Sequence, residues 1–465
     1  MKLISPEFLC FFLLVLGLRW SLPRSWRTGW LVLASYFFYA WWDWRCAGLL
    51  FAMTCASYLL GKAVSASARP AARRAWIAAA VLLHVGVLCW FKLSSQADSV
   101  DILRASSVAA AVLPLGLSYY TFTSLGYVLD VARGVPAAGS FLPYCLFVGF
   151  FASITAGPVG RARLLLPQFA GDRAFDRVRF YEGLHLIYWG LFQKVFVADN
   201  LGPIVVTVFD LSAADSGLSA LLGVYAFTFQ LYGDFAGYSN IARGMGKCLG
   251  FDLSENFRLP FFAQDMQEHW KRWHVSLSEW FADFVYRPLV DLPVGYFKFF
   301  AAPLLTLLIM GLWHKFSPQM ALLGLNYGFW ISLTIFIKLW AIRRDFAPGP
   351  RLAAALPWIN RLLTLHLVCA GFVLLRSHSL DQAAALVSRV FSAPRPTPQA
   401  LDLARRMLFF AGPLILAEVV EYRRGGAGSL IKLPVPARGL LYAGLGFLLL
   451  KYGRFDSEVF FYSKF

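Results

Sequence analysis

The sequence predicts an all-α, polytopic membrane protein, and three observations carry that prediction. Of 465 residues, 58% are hydrophobic and 15% charged, where a soluble globular chain carries about a quarter charged residues. Mean hydropathy is +0.59, and apolar blocks near membrane-spanning length recur almost from end to end. The 43 Lys and Arg exceed the 26 Asp and Glu by 17. These basic residues sit in short connectors between apolar blocks, which reads as the cytoplasmic-loop bias of membrane topology and not as nucleic-acid binding.

The first block, about 6–18, follows a single Lys2 and leads into Arg19 and Trp20 instead of a small-residue cleavage site, so it reads as a retained span. Further spans are expected near 29–44, 47–61, 75–91, 108–129, 183–198, 217–232, 299–313, 320–340, 362–375, 407–420 and 439–450, about eleven or twelve in all. The connectors holding Arg19, Arg24 and Arg27, and Lys62, Arg69, Arg73 and Arg74, lie two spans apart and share a side. If that side is cytoplasmic, the N-terminus faces outward. A full crossing at 141–157 would then put Arg161, Arg163, Arg173, Arg177 and Arg179 outside. The segment is therefore expected to enter and return, broken at Gly149 and Gly157-Pro158, unless one span is miscounted.

Between Gly233 and Pro288 charges and aromatics mix. Met266, Trp270, Trp273, Leu277, Trp280 and Phe284 alternate steps of four and three, with Phe281 beside Trp280, which predicts an amphipathic helix. Its other face carries Gln267, Lys271, Arg272, Glu279 and Asp283. With no repeat at solenoid period and no low-complexity linker, only a turn-rich connector at Pro394, Pro396 and Pro398, residues 1–465 are expected to form one integral-membrane domain.

Two of the seven histidines stand apart: His274, in the run Trp270 to Ser278, and His314, which ends the apolar run from about 299. An ionisable group in such a place is a functional candidate, and histidine is the usual group for taking a proton from a hydroxyl near neutral pH. The alternative is a satisfied histidine at a helix end. Glu268-His269 followed by His274 does not read as a zinc site, because five positions turn the side chain by about 140° around a helix. The seven cysteines show no CxxC spacing, and no metal is expected. Gly244 to Gly250 lacks the G-x-G-x-x-G spacing, so Gly233/Gly237 and Gly246/Gly250 read as close helix packing. Ser239 lacks the nucleophile-elbow pattern. Asp130, Lys194, Asp199 and Asp234 interrupt or follow apolar runs and are expected to find partners or a wet cavity.

The run Asp234-Phe235-Ala236-Gly237-Tyr238-Ser239, then Gly250-Phe251, Glu255-Asn256-Phe257, Pro260, and Trp270 through Phe281, resembles the membrane-bound O-acyltransferase family. Gly311-Leu312-Trp313-His314 is similar to the segment bearing that family's invariant histidine. Leu113 to Phe122, Ala156-Gly157-Pro158 with Arg161, Pro167-Gln168-Phe169 and Gly190 to Val195 extend the likeness over most of the chain. Ser5-Pro6-Glu7-Phe8, Ala34 to Trp42 and the aromatic C-terminal tail look most like the alginate O-acetylation branch, while Asp265 to Glu268 and Phe281 to Val285 also resemble the D-alanyl teichoic acid branch. Two departures stand out: a short segment after Val290, and Lys315 where the alginate branch has glycine.

The resemblance implies a ring of tilted transmembrane helices around a central tunnel, with re-entrant and amphipathic helices. It implies His314 as the catalytic histidine and His274 as a second polar residue of the tunnel. Trp270, Arg272 and Trp273 become candidate substrate or oxyanion contacts, and Asp234, Gly157, Pro158 and Arg161 candidate tunnel residues. The expected donor is an acyl thioester, acetyl-CoA or an acyl carrier protein thioester, with no permanently bound cofactor. The expected partners are an extracytoplasmic SGNH-type acetyltransferase, a polysaccharide acceptor and the lipid of a bacterial inner membrane. D-alanyl transfer, a transporter using the buried charges as a relay, and a non-catalytic scaffold are the competing readings. A transporter would show paired broken segments, and no second copy of the 141–157 region is found.

Overall fold

A computed structural model describes residues 1, 3–95, 113–171, 173–210, 212–345, 347–392 and 394–455. Among them there are helices and no strand. The chain divides into two compact units, residues 1–188 with 238–255, and residues 189–237 with 256–465.

The first unit contains α1 (Pro6–Ser21), α2 (Arg24–Ala40), α3 (Trp44–Ala66), α4 (Pro70–Ser94), α5 (Leu117–Ala132), α6 (Phe141–Gly149), α7 (Ala162–Ala170) and most of α8 (Arg177–Leu191). Helix starts follow local chemistry. Ser5 caps α1 by accepting from Phe8 N at 3.3 Å with Pro6 in the first turn, and Asp43 accepts from Arg45 N at 2.7 Å to start α3. The expected break at 141–157 is present. Helix α6 has nine residues, about 13 Å of rise against a hydrocarbon core of about 30 Å. Beyond Gly149 the chain continues as buried turns. Their backbone is satisfied partly by side chains, Phe151 N donating to Ser35 Oγ at 3.2 Å and Gly160 N to Thr123 Oγ1 at 3.3 Å, and partly by the turns' own carbonyls. Irregular backbone at depth requires such partners. Phe151 also packs edge-on against Phe11 at 5.3 Å, tying the turns to α1. Gly157, Pro158 and Arg161 lie buried in this stretch, and Gly157 N donates to Ser153 O at 2.8 Å.

In the second unit, α8 runs into a wide-turn stretch Phe192–Ala198, then α9 (Asp199–Val205) and a second wide turn Val206–Asp210. The long α10 (Gly217–Cys248) contributes its residues up to Gly237 here. There follow α11 (Met266–Arg272), α12 (Val275–Phe281), α13 (Arg287–Val290), α14 (Lys298–His314), α15 (Pro318–Arg343), α16 (Pro350–Arg376), α17 (Leu380–Ser392), α18 (Pro398–Arg423) and α19 (Val435–Tyr452). Gly233 and Gly237 do serve close packing, since a Cβ on either would stand 2.8 Å from a carbonyl oxygen, of Gln193 and Gly190 respectively. Gly250 departs from that expectation; at φ +96 it forms the left-handed turn after α10.

The expected spans map onto helices apart from 41–43, 113–116 and the turns after Gly149, while 108–112 and the tail 456–465 lie outside the described residues. Among the described residues six helical segments are long and apolar enough to cross a membrane: 44–66, 70–94, 177–210, 295–314, 318–343 and 350–376. The protein is therefore a multi-pass, all-α membrane protein.

Candidate active site

The single amphipathic helix expected over Met266–Phe284 is instead two short helices, α11 and α12, broken at Trp273-His274. Helix α11 starts where Asp265 accepts from Glu268 N at 2.8 Å, and it stops because Trp273 turns extended. His274 then takes the left-handed conformation, φ 43 and ψ 52. A non-glycine residue held there costs about 1–3 kcal/mol, and such positions concentrate at functional sites. The surrounding chain enforces it. Arg258 N donates to Arg272 O at 3.0 Å and Val275 N to Asn256 O at 3.0 Å, while Ser276 Oγ donates to Asn256 Oδ1 at 2.6 Å. Residues 256–258 thus brace both sides of His274. Its ring packs edge-on against Phe235 at 4.6 Å.

His314 is placed by a different device. It is the last residue of α14, and Lys315 turns extended behind it. Helices α14 and α15 touch backbone to backbone: a Cβ on Gly311 would lie 2.2 Å from Met320 O, and one on Gly324 would lie 2.2 Å from Leu307 O. Gly311 is three residues before His314 and shares its face. The glycine contact therefore fixes where the imidazole stands.

His274 and His314 line one narrow cavity of about 40 Å³, with Trp270, Trp273, Leu277 and Tyr327 among its walls. A wider cavity of about 410 Å³ adjoins it through shared walls Trp270, Leu307 and Met310, and is bordered by Arg258, Lys271 and Glu279. The indole Nε1 of Trp270 is buried, with no hydrogen-bond partner among the described residues. A buried donor in that state, on a residue common to both cavities, is suited to a ligand oxygen.

Other expected site residues stand elsewhere. Arg272 is held away by Glu268, with Nε at 2.9 Å and Nη2 at 2.6 Å from Oε1, and its Nη1 donates to Arg258 O at 3.1 Å. It braces the loop under His274 and does not line either cavity. Asp234 lies 2.6 Å from Lys194 Nζ, which also meets Asp199 at 2.7 Å. Asp234 therefore acts behind the site, next to Phe235. Gly157, Pro158 and Arg161 belong to the first unit. His269 does not face the cavities: its Nδ1 meets Pro260 O at 3.2 Å and its ring stacks on Trp273 at 5.7 Å. Two residues carried no expected role: Asn256 stood only within the Glu255-Asn256-Phe257 motif, and Glu418 was not singled out. Asn256 braces His274, and Glu418, 4% exposed, accepts from Tyr232, whose ring packs near Trp273. An acid inside the apolar block 407–420 was the available signal for Glu418.

Burial pushes the His274 imidazole down to about 3 and the His269 imidazole down to about 4. Both stay neutral in the fold, whereas an unfolded histidine titrates near 6.5. Below that pH the unfolded chain takes up more protons, so stability is full above about 6.5 and drains away as pH falls toward 3–4. The thermal midpoint in detergent is expected to drop between pH 7.5 and pH 5, and His269→Gln is expected to flatten that slope. An unchanged slope in the variant would show that other groups govern it.

The fold and this cavity define a multi-pass membrane protein with two histidines lining one internal cavity. The family model of the membrane-bound O-acyltransferases matches residues 37–375. The chain belongs to that family, and it is an O-acyltransferase. It is 36% identical to a probable alginate O-acetylase of Azotobacter vinelandii, over 90% of this chain and 83% of that protein. A peptidoglycan O-acetyltransferase of Helicobacter pylori is 28% identical over 76% of this chain and 72% of its own length. A teichoic acid D-alanyltransferase of Bacillus subtilis is 28% identical over 56% and 67%.

Proposed function

We propose that the chain is a single integral-membrane enzyme that moves an acetyl group from a cytoplasmic thioester across a bacterial inner membrane for O-acetylation of an extracellular or envelope polysaccharide of alginate type. The observation that carries this reading is the pair His274 and His314 in one narrow cavity beside a wider chamber. The chamber suits the extended arm of a thioester, with Arg258 and Lys271 at its border to meet phosphate, a group shared by coenzyme A and by a carrier protein's phosphopantetheine. The acceptor hydroxyl gives its proton to His314, its oxygen bonds to the thioester carbonyl carbon, the carbon–sulfur bond breaks, and the imidazolium returns the proton to the departing thiolate. Neutral His274 orients the acceptor, and Trp270 Nε1–H steadies the carbonyl oxygen. With the basic connectors on the cytoplasmic side, the N-terminus faces outward. An SGNH-type transferase on the far side receives the acetyl group and passes it to the glycan.

The test is transfer, in separate arms, of radiolabelled acetyl or radiolabelled D-alanyl from a thioester to envelope material in cells that carry or lack the chain. Label that appears only with the chain, and that mild base releases as acetate, is the expected result. Label released as alanine would replace the acetyl assignment by D-alanyl transfer. Equal labelling with and without the chain would remove the enzyme reading of this pathway.

A further inference from the structure

Resting on the acyl-transfer reading, we propose that the narrow cavity beside His314 is a filter for the size and charge of the acyl group, set by Leu277, Leu307 and Met310, which admits acetyl and turns away both longer acyl chains and an aminoacyl group. Its volume is about 40 Å³, against about 410 Å³ in the chamber it adjoins. A thioester arm in the wide chamber reaches the histidines past the shared walls Leu307 and Met310. The carbons beyond its carbonyl then fall in the narrow part. An acetyl group places one methyl there, and a butyryl group adds two further carbons.

The walls have little room to yield. Leu277 is 2% exposed, Met310 4% and Leu307 7%. Gly311 and Gly324 form another side, where α14 and α15 already meet backbone to backbone. Close-packed walls respond to a single added methylene. In an apolar pocket one methylene is worth about 10–200-fold in specificity. Charge is excluded by the same surface. Apart from the two histidines its lining residues are apolar, aromatic or glycine, and none carries a carboxylate. An α-ammonium entering there would lose its hydration with no opposite charge to replace it.

The experiment uses the full chain in membranes that contain its acceptor. Acetyl-, propionyl-, butyryl- and alanyl-CoA are offered, and His314-dependent thiol release is followed together with ester formation. Wild type is expected to lose about tenfold or more per added methylene and to leave the alanyl donor unused. Met310→Ala is expected to raise the butyryl-to-acetyl ratio at least about tenfold, while Met310→Leu, close in volume, keeps the wild-type order. Leu277→Ala enlarges the same space and serves if Met310→Ala fails to accumulate. Equal use of acetyl and butyryl donors by wild type, use of the alanyl donor as readily as acetyl, or an unchanged ratio in a well-accumulated enlarging variant would each overturn the filter. Failure to consume any donor is a different result, because it overturns the acyl-transfer reading itself.

Discussion

His314→Ala is expected to lower acyl transfer by about 10²–10⁴-fold, the usual worth of a general base, with little change in the amount of protein in the membrane. His314 ends its helix and is only half-buried, and the packing that holds α14 comes from Gly311 and Gly324 against α15. Removing the imidazole therefore takes away a proton acceptor and leaves the scaffold. The comparison that isolates the chemistry is His274→Asn. Asparagine tolerates the left-handed backbone at that position and keeps a neutral polar group, so a smaller loss is expected there. Transfer by His314→Ala at wild-type rate, at matched protein level, would reject His314 as the base. A larger loss in His274→Asn than in His314→Ala would exchange the two roles.

The helical, membrane-spanning character was legible because lipid demands long apolar runs, and such runs are visible without knowing how they pack. The break after Gly149 was legible for a related reason: charge placement on either side of 141–157 conflicted with a full crossing. The break at Trp273-His274 was not. The three-and-four spacing of Met266 to Phe284 fits one helix, and nothing local marks His274 for a left-handed turn. That turn is imposed from outside by Asn256 and Arg258, which contact residues 272–276 across a gap of more than ten residues. The same distinction separates the site residues. His314 stood out as an ionisable group ending an apolar run, whereas Arg272, attractive by its charge, is consumed by Glu268 one turn earlier. Met310 and Leu307 look like any lipid-facing residues until α15 is packed against them. Only the tertiary contact makes them walls of a cavity.

Lys194→Met is the substitution expected to damage the fold most. The Lys194 ammonium lies 2.7 Å from Asp199 and 2.6 Å from Asp234, and the three side chains are 4%, 7% and 2% exposed. Both buried carboxylates meet this ammonium. Taking away the cation of a buried pair costs about 3–5 kcal/mol, since the carboxylates keep their desolvation and lose their compensation. Against a total stability of about 5–15 kcal/mol that is a large fraction. A sharp fall in thermal midpoint and in membrane accumulation is expected. The effect should reach the site as well, because Asp234 precedes Phe235, whose ring abuts His274. A triple replacement, Lys194→Met with Asp199→Asn and Asp234→Asn, removes these three charges at once and is expected to recover much of the lost stability. Its transfer rate then separates two roles for the cluster. Recovery of stability together with transfer marks the charges as structural, holding α10 against the 192–198 turn. Recovery of stability without transfer would mean that the charges take part in moving protons, the one property of a transporter that the buried triad carries. A Lys194→Met protein with an unchanged midpoint would show that the network contributes little to the fold.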